Sequence, residues 1–467
     1  MLLNLQGGGG EGAGGDGLIW GAAISILVVP LVLVGLMLLL VEKSRRALRS
    51  HGVLRGGRVW VMRGIAMILA LLVPLSGATL FANAVGVQDY VEASIREATL
   101  GTSIGDFYTV PEVDSAAASG ERRNLVVIYL ESVEDALADD SVFEKNMLAP
   151  VQSATEGWAT IPSLQQYDGG GWTMAGIVGT QCGIPLRSAD ALADNTDLNA
   201  LGSSGNEVER YLSGATCLGD VLEDEGYRNV FLGGADANFA GKGAFLRSHG
   251  YSEVNDLNVW RERGETEMRE DWGLSDRRLF ANAKETVSEL HDADQPFNLT
   301  LLTLDTHEGP RVFEYCGWDT EVAMTAITSC SMEQVSGFID YLEAEGILDD
   351  TTVVVMGDHR KMIAEGGSFW EELRDREDRT IFNRVWTPES STFARSEIDQ
   401  LSMFPTMLEL AGLELADHRA GIGVSALAEA DDVPSGSVLD LTAQEYTDLV
   451  RSRSVTFFQR MWDERAP

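Results

Sequence analysis

From residue 124 onward, short apolar runs alternate with stretches in which apolar residues recur at helical spacing. The apolar runs predict buried β-strands at Leu125–Leu130, Asn229–Leu232, Leu299–Leu304 and Thr352–Met356. The stretches between them predict helices at Thr216–Gly226, Leu279–Leu290 and Ser331–Glu345. Strands that alternate with helices favour an α/β fold, in which a mostly parallel sheet is flanked by helices on both faces.

The first 123 residues follow a different pattern. Residues 1–17 are rich in glycine and predict a flexible N-terminus, and two charge-free apolar runs follow at Leu18–Val41 and Gly64–Gly86, with a basic loop between them. Both runs are long enough to cross a bilayer, so we predict two transmembrane helices within 18–86, with the basic loop cytoplasmic and all that follows outside. Residues 87–123 predict a juxtamembrane helix and a linker. Buried core helices and a cleaved signal peptide are the alternatives for the apolar runs.

The charge balance narrows the classes of partner. The chain has 35 Lys and Arg residues against 72 Asp and Glu residues, and its formal net charge at pH 7 is -37. Such a surface repels the phosphates of nucleic acids and of anionic lipids. The composition therefore disfavours nucleic acid as a partner, and it also disfavours simple electrostatic adhesion to anionic lipid.

A glycine-rich stretch, Gly169–Leu186, carries the most specific chemistry of the chain. Three glycines and Trp172 lead into Thr173, and small residues compatible with a helix follow. Glycines allow tight turns and close backbone approach. The Thr173 hydroxyl would then lie at a helix N-terminus, which attracts anions, and we predict that it is the nucleophile toward a phosphate or sulfate ester. An ordinary threonine N-cap is the alternative.

Polar residues follow three of the predicted strands. Glu131 follows the first, Asp305 and His307 follow the third, and Asp358 and His359 follow the last after a single glycine. Ligands collect at the carboxyl ends of parallel strands, and carboxylates with imidazole suit a divalent cation such as Mn²⁺ or Zn²⁺. His307 is predicted to bind the substrate or to protonate the leaving alkoxide. The predicted metal ligands are Glu131, Thr173, Asp358 and His359.

These segments resemble the lipoteichoic acid synthase-like phosphoglycerol transferases of the alkaline phosphatase/sulfatase superfamily, in particular the branch that acts on osmoregulated periplasmic glucans. The matching segments, in the family's order, are Asn124–Ser132, Gly171–Gly176, Gln181–Leu186, Leu218–Leu222, Phe239–Lys242, Trp272–Leu274, Asp305–His307 and Val355–His359. The resemblance implies a sulfatase-like catalytic domain at 124–430, followed by a C-terminal extension at 431–467. It implies that one divalent cation, Mn²⁺ in preference to Zn²⁺ or Mg²⁺, is held by Glu131, Thr173, Asp358 and His359. It also implies substrate contacts from Phe239, Lys242, Trp272 and His307, with simple core packing as the alternative role of Phe239.

The resemblance implies an activity as well. Phosphatidylglycerol would donate glycerol phosphate to Thr173, and a hydroxyl of a periplasmic glucan or related polyol would then take the group. The protein would be anchored in the bacterial inner membrane with its catalytic domain on the periplasmic side. The alternatives are a phosphoethanolamine transferase, a metal-dependent phosphodiesterase or sulfatase-like hydrolase, and a catalytically silent membrane-bound binding protein. The chain departs from the family in having two predicted transmembrane helices, fewer than usual, and in the individual segment Arg360–Arg384.

Four cysteines offer a further prediction. An even number in a domain outside the membrane indicates disulfides, with three possible pairings, and buried free thiols are the alternative. We predict Cys182–Cys217, because both would lie near the Thr173 helix, and Cys316–Cys330, which closes a short loop. Cys182 also lies in a segment that faintly resembles the sulfatase signature for formylglycine formation. The proline and arginine of that signature come one position late here, so Cys182 is not assigned as a nucleophile.

Overall fold

The computed structural model describes residues 103–113, 122–188, 198–202, 208–396, 398–431, 433–452 and 454–463, all of which belong to one compact unit. The predicted transmembrane helices at 18–86 and the predicted juxtamembrane helix lie outside these residues. Among the residues that the structure describes, no helix combines the length and the apolar composition needed to cross a bilayer.

A six-stranded sheet forms the centre of this unit. The strands along the chain are β1 (Asn124–Leu130), β2 (Arg228–Gly233), β3 (Tyr251–Asn255), β4 (Met268–Arg269), β5 (Gly273–Leu274), β6 (Phe297–Leu302), β7 (Thr351–Gly357), β8 (Asn383–Trp386), β9 (Arg419–Ala420) and β10 (Gly423–Val424). The order in the sheet is β3-β2-β6-β1-β7-β8, with β1 central and Val126 opposite both Leu299 and Val353. All neighbours are parallel except β8, which runs antiparallel along β7 at one edge. The prediction of a mostly parallel sheet is confirmed.

Helices cover both faces of the sheet, also as predicted. They are α1 (Ala149–Ala154), α2 (Thr173–Cys182), α3 (Leu218–Asp224), α4 (Lys242–Ser248), α5 (Leu257–Glu262), α6 (Asp276–His291), α7 (Ala323–Ala344), α8 (Trp370–Leu373), α9 (Met403–Leu410), α10 (Ala443–Arg451) and α11 (Val455–Trp462). Alternate residues of β1 enter two separate cores. Val127 and Tyr129 pack with α2, α3 and α9, whereas Val126 and Ile128 pack with α1, α6 and α7. This two-sided burial explains why β1 is an uninterrupted apolar run.

The strands and helices predicted after residue 124 are all present, with bounds that differ by up to eight residues, and two of these differences have a physical reason. The helix predicted to begin at Ser331 begins at Ala323. Its first turns were not predicted, because they are buried all round and carry no amphipathic pattern. The strand predicted to end at Leu304 ends at Leu302, two residues earlier. There the chain turns, because the Asp276 carboxylate accepts hydrogen bonds from the N–H groups of Leu304 and Asp305.

Both predicted disulfides are present, Cys182–Cys217 and Cys316–Cys330, and the alternative of free thiols is wrong. The first joins the last residue of α2 to the residue that precedes α3. The helix that begins at Thr173 is thereby attached covalently to its neighbour.

Apolar residues near the C-terminus, among them Phe457 and Phe458 of α11, pack into the same core as α2.

Candidate active site

Three potential metal ligands meet where two adjacent strands end. Glu131 follows β1, and Asp358 and His359 follow β7, which is hydrogen-bonded to β1 along its length. All three side chains are buried, with exposed fractions of 4%, 0% and 1%. His359 Nε2 lies 3.6 Å from Glu131 Oε1 and 3.6 Å from Asp358 Oδ2. Oxygen and nitrogen ligands therefore face one point, as a divalent cation requires.

Neighbouring groups hold Asp358 and His359 so that one atom of each remains available. Asp358 Oδ1 accepts hydrogen bonds from the backbone N–H groups of Ser132 and His359, both at 2.8 Å. Asp358 Oδ2 has no hydrogen-bond partner among the described residues, although it is shielded from water. His359 Nδ1 lies 2.8 Å from the carbonyl oxygen of Arg360 and donates to it, which leaves the lone pair of Nε2 facing the carboxylates. An unpaired buried oxygen beside an oriented imidazole fits a bound cation.

The pKa shifts of the two carboxyl groups also favour a bound cation. Burial raises the pKa of Asp358 well above its ordinary value, and the neighbouring Glu131 raises it further. Burial also acts to raise the pKa of Glu131, but the nearby His359 and His307 outweigh it and lower that pKa. Two buried carboxylates this close cannot both ionise at low cost unless a cation lies between them.

Thr173 is the first residue of α2, and its hydroxyl belongs to this cluster. Thr173 Oγ1 donates a 3.0 Å hydrogen bond to Glu131 Oε2, while Ser132 Oγ donates to Glu131 Oε1 at 2.7 Å. The residue at the N-cap position is Trp172, not Thr173, and the threonine hydroxyl bonds the carboxylate instead of the helix backbone. The alternative of an ordinary threonine N-cap is therefore wrong.

Close packing explains one of the glycines in the Thr173 segment. A Cβ atom added to Gly176 of α2 would lie 2.1 Å from the carbonyl oxygen of Asp358. That carbonyl also accepts a 2.6 Å hydrogen bond from Gln400 Nε2. Because only glycine allows this approach, Gly176 lets the start of α2 lie beside the candidate metal ligands.

Gly176→Ala is expected to lower the free energy of unfolding by ~1–3 kcal/mol, since the added methyl group meets backbone atoms that cannot yield easily. Gly337→Ala is the matched control, because a Cβ at this position of α7 meets nothing within 4 Å. This change should stabilise the protein by up to ~1 kcal/mol through helix propensity. Denaturant unfolding measures both values. Equal effects of the two substitutions would contradict the packing argument.

The candidate ligands open onto a cavity of about 200 Å³. Lys242, the first residue of α4, lines it and is only 4% exposed. Burial lowers the pKa of Lys242, while Glu131 and Asp256 act to raise it. No hydrogen bond or ion pair of Lys242 Nζ is present within the described part of the chain. A buried lysine whose Nζ forms no such bond to an anion among the described residues suits a phosphate oxygen.

Three ring side chains form another part of the cavity wall. Phe239 is 47% exposed, so the alternative that it serves core packing is wrong. Its ring packs edge-on against Trp272, with 5.3 Å between centroids, and Trp272 contacts His307 at 4.2 Å. The structure thus brings all the predicted substrate-binding residues to one cavity, whose wall also contains Glu131, Thr173 and His359. Asp358 does not line the cavity but lies in the cluster with Glu131 and His359.

Other residues at the site were not predicted from the sequence. Glu134 is fully buried; it binds the guanidinium group of Arg379 and accepts a 3.0 Å hydrogen bond from the backbone N–H of Lys361. It thereby connects the loop after β1 to the loop after β7.

Asp305, although it follows β6, does not join the candidate metal cluster. Its carboxylate accepts from the backbone N–H of Asp276 at 3.0 Å instead. No periodicity or motif marks such contacts between distant segments.

A second group of metal-binding residue types has a structural explanation. Cys217, Asp220 and His249 lie close together, but the cysteine sulfur is used in a disulfide. His249 Nδ1 and Asp220 Oδ2 form a 2.7 Å hydrogen bond, and His249 Nε2 lies 3.0 Å from the carbonyl oxygen of Tyr211. These groups satisfy one another, so the cluster is not a candidate metal site.

Comparison with known proteins places the chain in a family. The sulfatase family profile matches residues 123–413, more than half of the chain. Phosphoglycerol transferase I from Xanthomonas campestris pv. campestris (strain B100) is 32% identical over 436 residues, which cover 92% of this chain and 57% of that protein. Phosphoglycerol transferase I from Escherichia coli O6:K15:H31 (strain 536 / UPEC) is 30% identical over 338 residues, covering 69% and 41%. The chain therefore spans about half the length of these curated relatives.

Solved structures share the fold. The lipoteichoic acid synthase LtaP from Listeria monocytogenes matches with a TM-score of 0.53 and 16% identity, over 76% of this chain and 96% of that one. A protein of the alkaline phosphatase superfamily from Vibrio parahaemolyticus matches with a TM-score of 0.51 and 19% identity, over 76% and 80%. The chain belongs to the sulfatase family, and phosphoglycerol transferases I are among its relatives.

Proposed function

We propose that this protein transfers glycerol phosphate from phosphatidylglycerol to a hydroxyl group of a periplasmic glucan or related polyol. One observation carries the proposal: the Thr173 hydroxyl is hydrogen-bonded to Glu131 at the wall of a cavity that also contains Lys242 and His307. A nucleophile, an acidic metal cluster, a buried cation and a potential proton donor are the parts that phosphoryl transfer needs. The names of the relatives support the same substrate class.

Glu131, Thr173, Asp358 and His359 would hold one divalent cation, Mn²⁺ in preference to Zn²⁺ or Mg²⁺. The cation would lower the pKa of the threonine hydroxyl and neutralise charge on the phosphate. The unpaired Asp358 Oδ2 and the free lone pair of His359 Nε2 support this assignment.

In the first step, Thr173 Oγ attacks the phosphorus atom of the lipid, and the bond from phosphorus to the diacylglycerol oxygen breaks. The hydroxyl proton passes to Glu131, whose Oε2 already accepts the hydrogen bond from Thr173. His307, in its protonated form, donates a proton to the departing diacylglycerol oxygen. Lys242 balances the negative charge of the phosphate. Diacylglycerol leaves, and glycerol phosphate remains esterified to Thr173.

In the second step, a hydroxyl oxygen of the acceptor attacks the same phosphorus atom. Neutral His307 now accepts the proton of that hydroxyl, which restores the imidazolium. The bond between phosphorus and Thr173 Oγ breaks, and the threonine oxygen recovers its proton from Glu131. The enzyme returns to its starting state, and the acceptor carries glycerol phosphate.

The membrane is part of the proposal, because the donor is a lipid. The charge-free runs at Leu18–Val41 and Gly64–Gly86 would anchor the chain in the bacterial inner membrane. The basic loop between them would stay in the cytoplasm, which places residues after 87 on the periplasmic side. This topology brings the catalytic domain to the face of the bilayer from which the head group is taken.

A donor assay tests the proposed function. The full-length chain, supplied with Mn²⁺, is incubated with vesicles of phosphatidylglycerol that is radiolabelled in its glycerol head group, with and without added glucan. We expect release of diacylglycerol and transfer of the label to the glucan. Vesicles of phosphatidylethanolamine labelled in the head group serve as the comparison and should donate little. Preferred donation of phosphoethanolamine, or release of label only to water in the presence of glucan, would contradict the proposal.

A further inference from the structure

The position of His307 depends on a short loop. This loop, Leu304–Gly309, follows β6 and lies beyond Leu302, the last residue that β6 pairs with β1 and β2. His307 Nδ1 lies 3.2 Å from the carbonyl oxygen of Glu308, and the ring contacts Trp272 at 4.2 Å. When Nδ1 donates to Glu308, Nε2 is the nitrogen left for the substrate. Proton transfer from a side chain requires placement within hydrogen-bond distance, so the loop has to be held from outside.

Arg269 holds this loop at both ends. Its side chain is only 2% exposed, which is rare for an arginine. Arg269 Nη1 donates to the carbonyl oxygens of Leu304 at 3.2 Å and Asp305 at 3.1 Å. Arg269 Nη2 donates to the carbonyl oxygen of Gly309 at 3.0 Å. One rigid guanidinium group thus binds carbonyls on each side of His307, two or more residues away in either direction.

Arg269 is itself fixed by a small hairpin. Asp271 binds Arg269 Nε at 3.1 Å and Nη2 at 2.8 Å, in the forked geometry that suits a guanidinium. Arg269 in β4 pairs with Gly273 in β5, and the turn between them carries Trp272. The same hairpin therefore supplies both the hydrogen bonds to the loop backbone and the aromatic contact to the His307 ring.

A second buried cation binds the middle of the loop from the segment after β7. Lys361 is 3% exposed, and its Nζ lies 2.9 Å from Glu308 Oε2 and 3.4 Å from the carbonyl oxygen of Thr306. These contacts flank His307 on both sides. Lys361 is three residues or fewer from the candidate metal ligands Asp358 and His359, whereas Arg269 lies on a separate hairpin. Arg269 is therefore the better residue for testing the loop without disturbing the metal cluster.

We propose that Arg269 is a positioning residue that holds His307 where it can protonate the leaving alkoxide of the lipid donor. The inference rests on the proposed function and adds a residue that does not line the cavity. Arginine is required, because its planar guanidinium group donates hydrogen bonds to three carbonyl oxygens and a carboxylate at once. Lysine would keep the charge but cannot make that set of hydrogen bonds.

The test compares two donors of the same glycerol phosphate group. Phosphatidylglycerol loses an alkoxide, which needs a proton, whereas the glycerol 4-nitrophenyl phosphate diester loses a stable phenolate, which does not. For Arg269→Lys we expect kcat/KM to fall about 100-fold with phosphatidylglycerol, the loss expected when an acid is misplaced by about 1 Å. With the nitrophenyl diester we expect a fall of less than about 3-fold, because general-acid catalysis contributes little there. Thermal unfolding of the full chain checks that the variant is folded.

A double-mutant cycle separates positioning from general damage to the fold. His307→Ala should show the same dependence on the leaving group, and Arg269→Lys combined with His307→Ala should be no slower than His307→Ala alone. Arg278→Lys is the matched control, because Arg278 forms a two-bond ion pair with Glu265 and, in the part of the chain that the structure describes, makes no hydrogen bond to the loop. It should leave both rates unchanged.

Three outcomes would overturn this inference. Equal losses with both donors would show that Arg269 acts on the fold as a whole, and additive losses in the double variant would show that it does not act through His307. In either of these cases the wild-type reaction with phosphatidylglycerol still supports the proposed function. A wild-type chain that cleaves the nitrophenyl diester but not phosphatidylglycerol would overturn the proposed function, and this inference with it.

Discussion

Thr173→Ala is expected to abolish both turnover and covalent labelling of the enzyme. If Thr173 Oγ is the atom that bonds to phosphorus, its removal leaves no nucleophile beside Glu131, and the rate should fall by ~10⁴–10⁶-fold. Without acceptor, wild-type enzyme given phosphatidylglycerol with a labelled head group should accumulate one glycerol phosphate ester on this residue. Mass spectrometry of the peptide containing Thr173 measures the ester, and transfer to glucan measures turnover.

Two substitutions control this experiment. Thr173→Ser keeps the oxygen and should retain part of the activity, although it loses the methyl group that restricts the rotamer. Thr447→Ala removes a hydroxyl from α10, where it donates only to the carbonyl oxygen of Ala443, and should leave activity unchanged. Thr173→Ala should remain folded, because its hydroxyl makes a single hydrogen bond that does not cap the helix. Transfer at the wild-type rate by Thr173→Ala would mean that another group is the nucleophile.

The second large effect is expected at the metal ligands. Glu131→Ala, Asp358→Ala and His359→Ala each remove one candidate ligand from the proposed metal site. Loss of groups that merely orient metal ligands already costs ~10–100-fold in affinity, so each of these substitutions should weaken metal binding by at least ~100-fold. Transferase activity should fall to the background in all three. Elemental analysis of the purified full-length variants, after dialysis against a fixed Mn²⁺ concentration, measures the bound metal.

The metal experiment needs a control for loss of charge. Asp375→Ala also removes a carboxylate, but this side chain is 90% exposed and lies outside the cavity. Its metal content and activity should match those of the wild type. Because Asp358 is fully buried, circular dichroism of Asp358→Ala must show a folded protein before its metal content is interpreted. Full occupancy in a folded Asp358→Ala variant would contradict the assignment of this residue as a ligand.

The sequence alone determined much of the fold, because the burial of a strand is visible in the pattern of its own residues. A strand buried on both faces has to be apolar at every position, so β1 and β7 were visible as uninterrupted runs. Parallel strands end at one edge, and this rule was enough to predict that Glu131, Asp358 and His359 lie together. The small residues after Thr173 likewise predicted a helix that begins near that residue, and in the structure the helix begins at Thr173.

Other features were decided only by the tertiary structure. The strands β4 and β5 have two residues each, too few to show any periodicity, yet their hairpin carries Trp272 to the cavity. The exposure of Phe239 was also undetermined, because an aromatic residue after a loop fits a core as well as a cavity wall.

The support of the site depends on contacts between segments that are distant in the sequence. Arg269 binds carbonyl oxygens 35 to 40 residues away, and Glu134 binds Arg379 across 245 residues. From the sequence alone, an arginine or glutamate in a polar segment is expected to be solvent-exposed. A charged side chain is buried at acceptable cost only where the fold supplies its hydrogen-bond and ion-pair partners. The amino-acid pattern therefore indicated which residues are candidates for the chemistry. The packing of distant loops determined how these side chains are held in position. That could not be predicted, because a backbone carbonyl is present at every residue and its hydrogen-bond partner is not indicated by residue type.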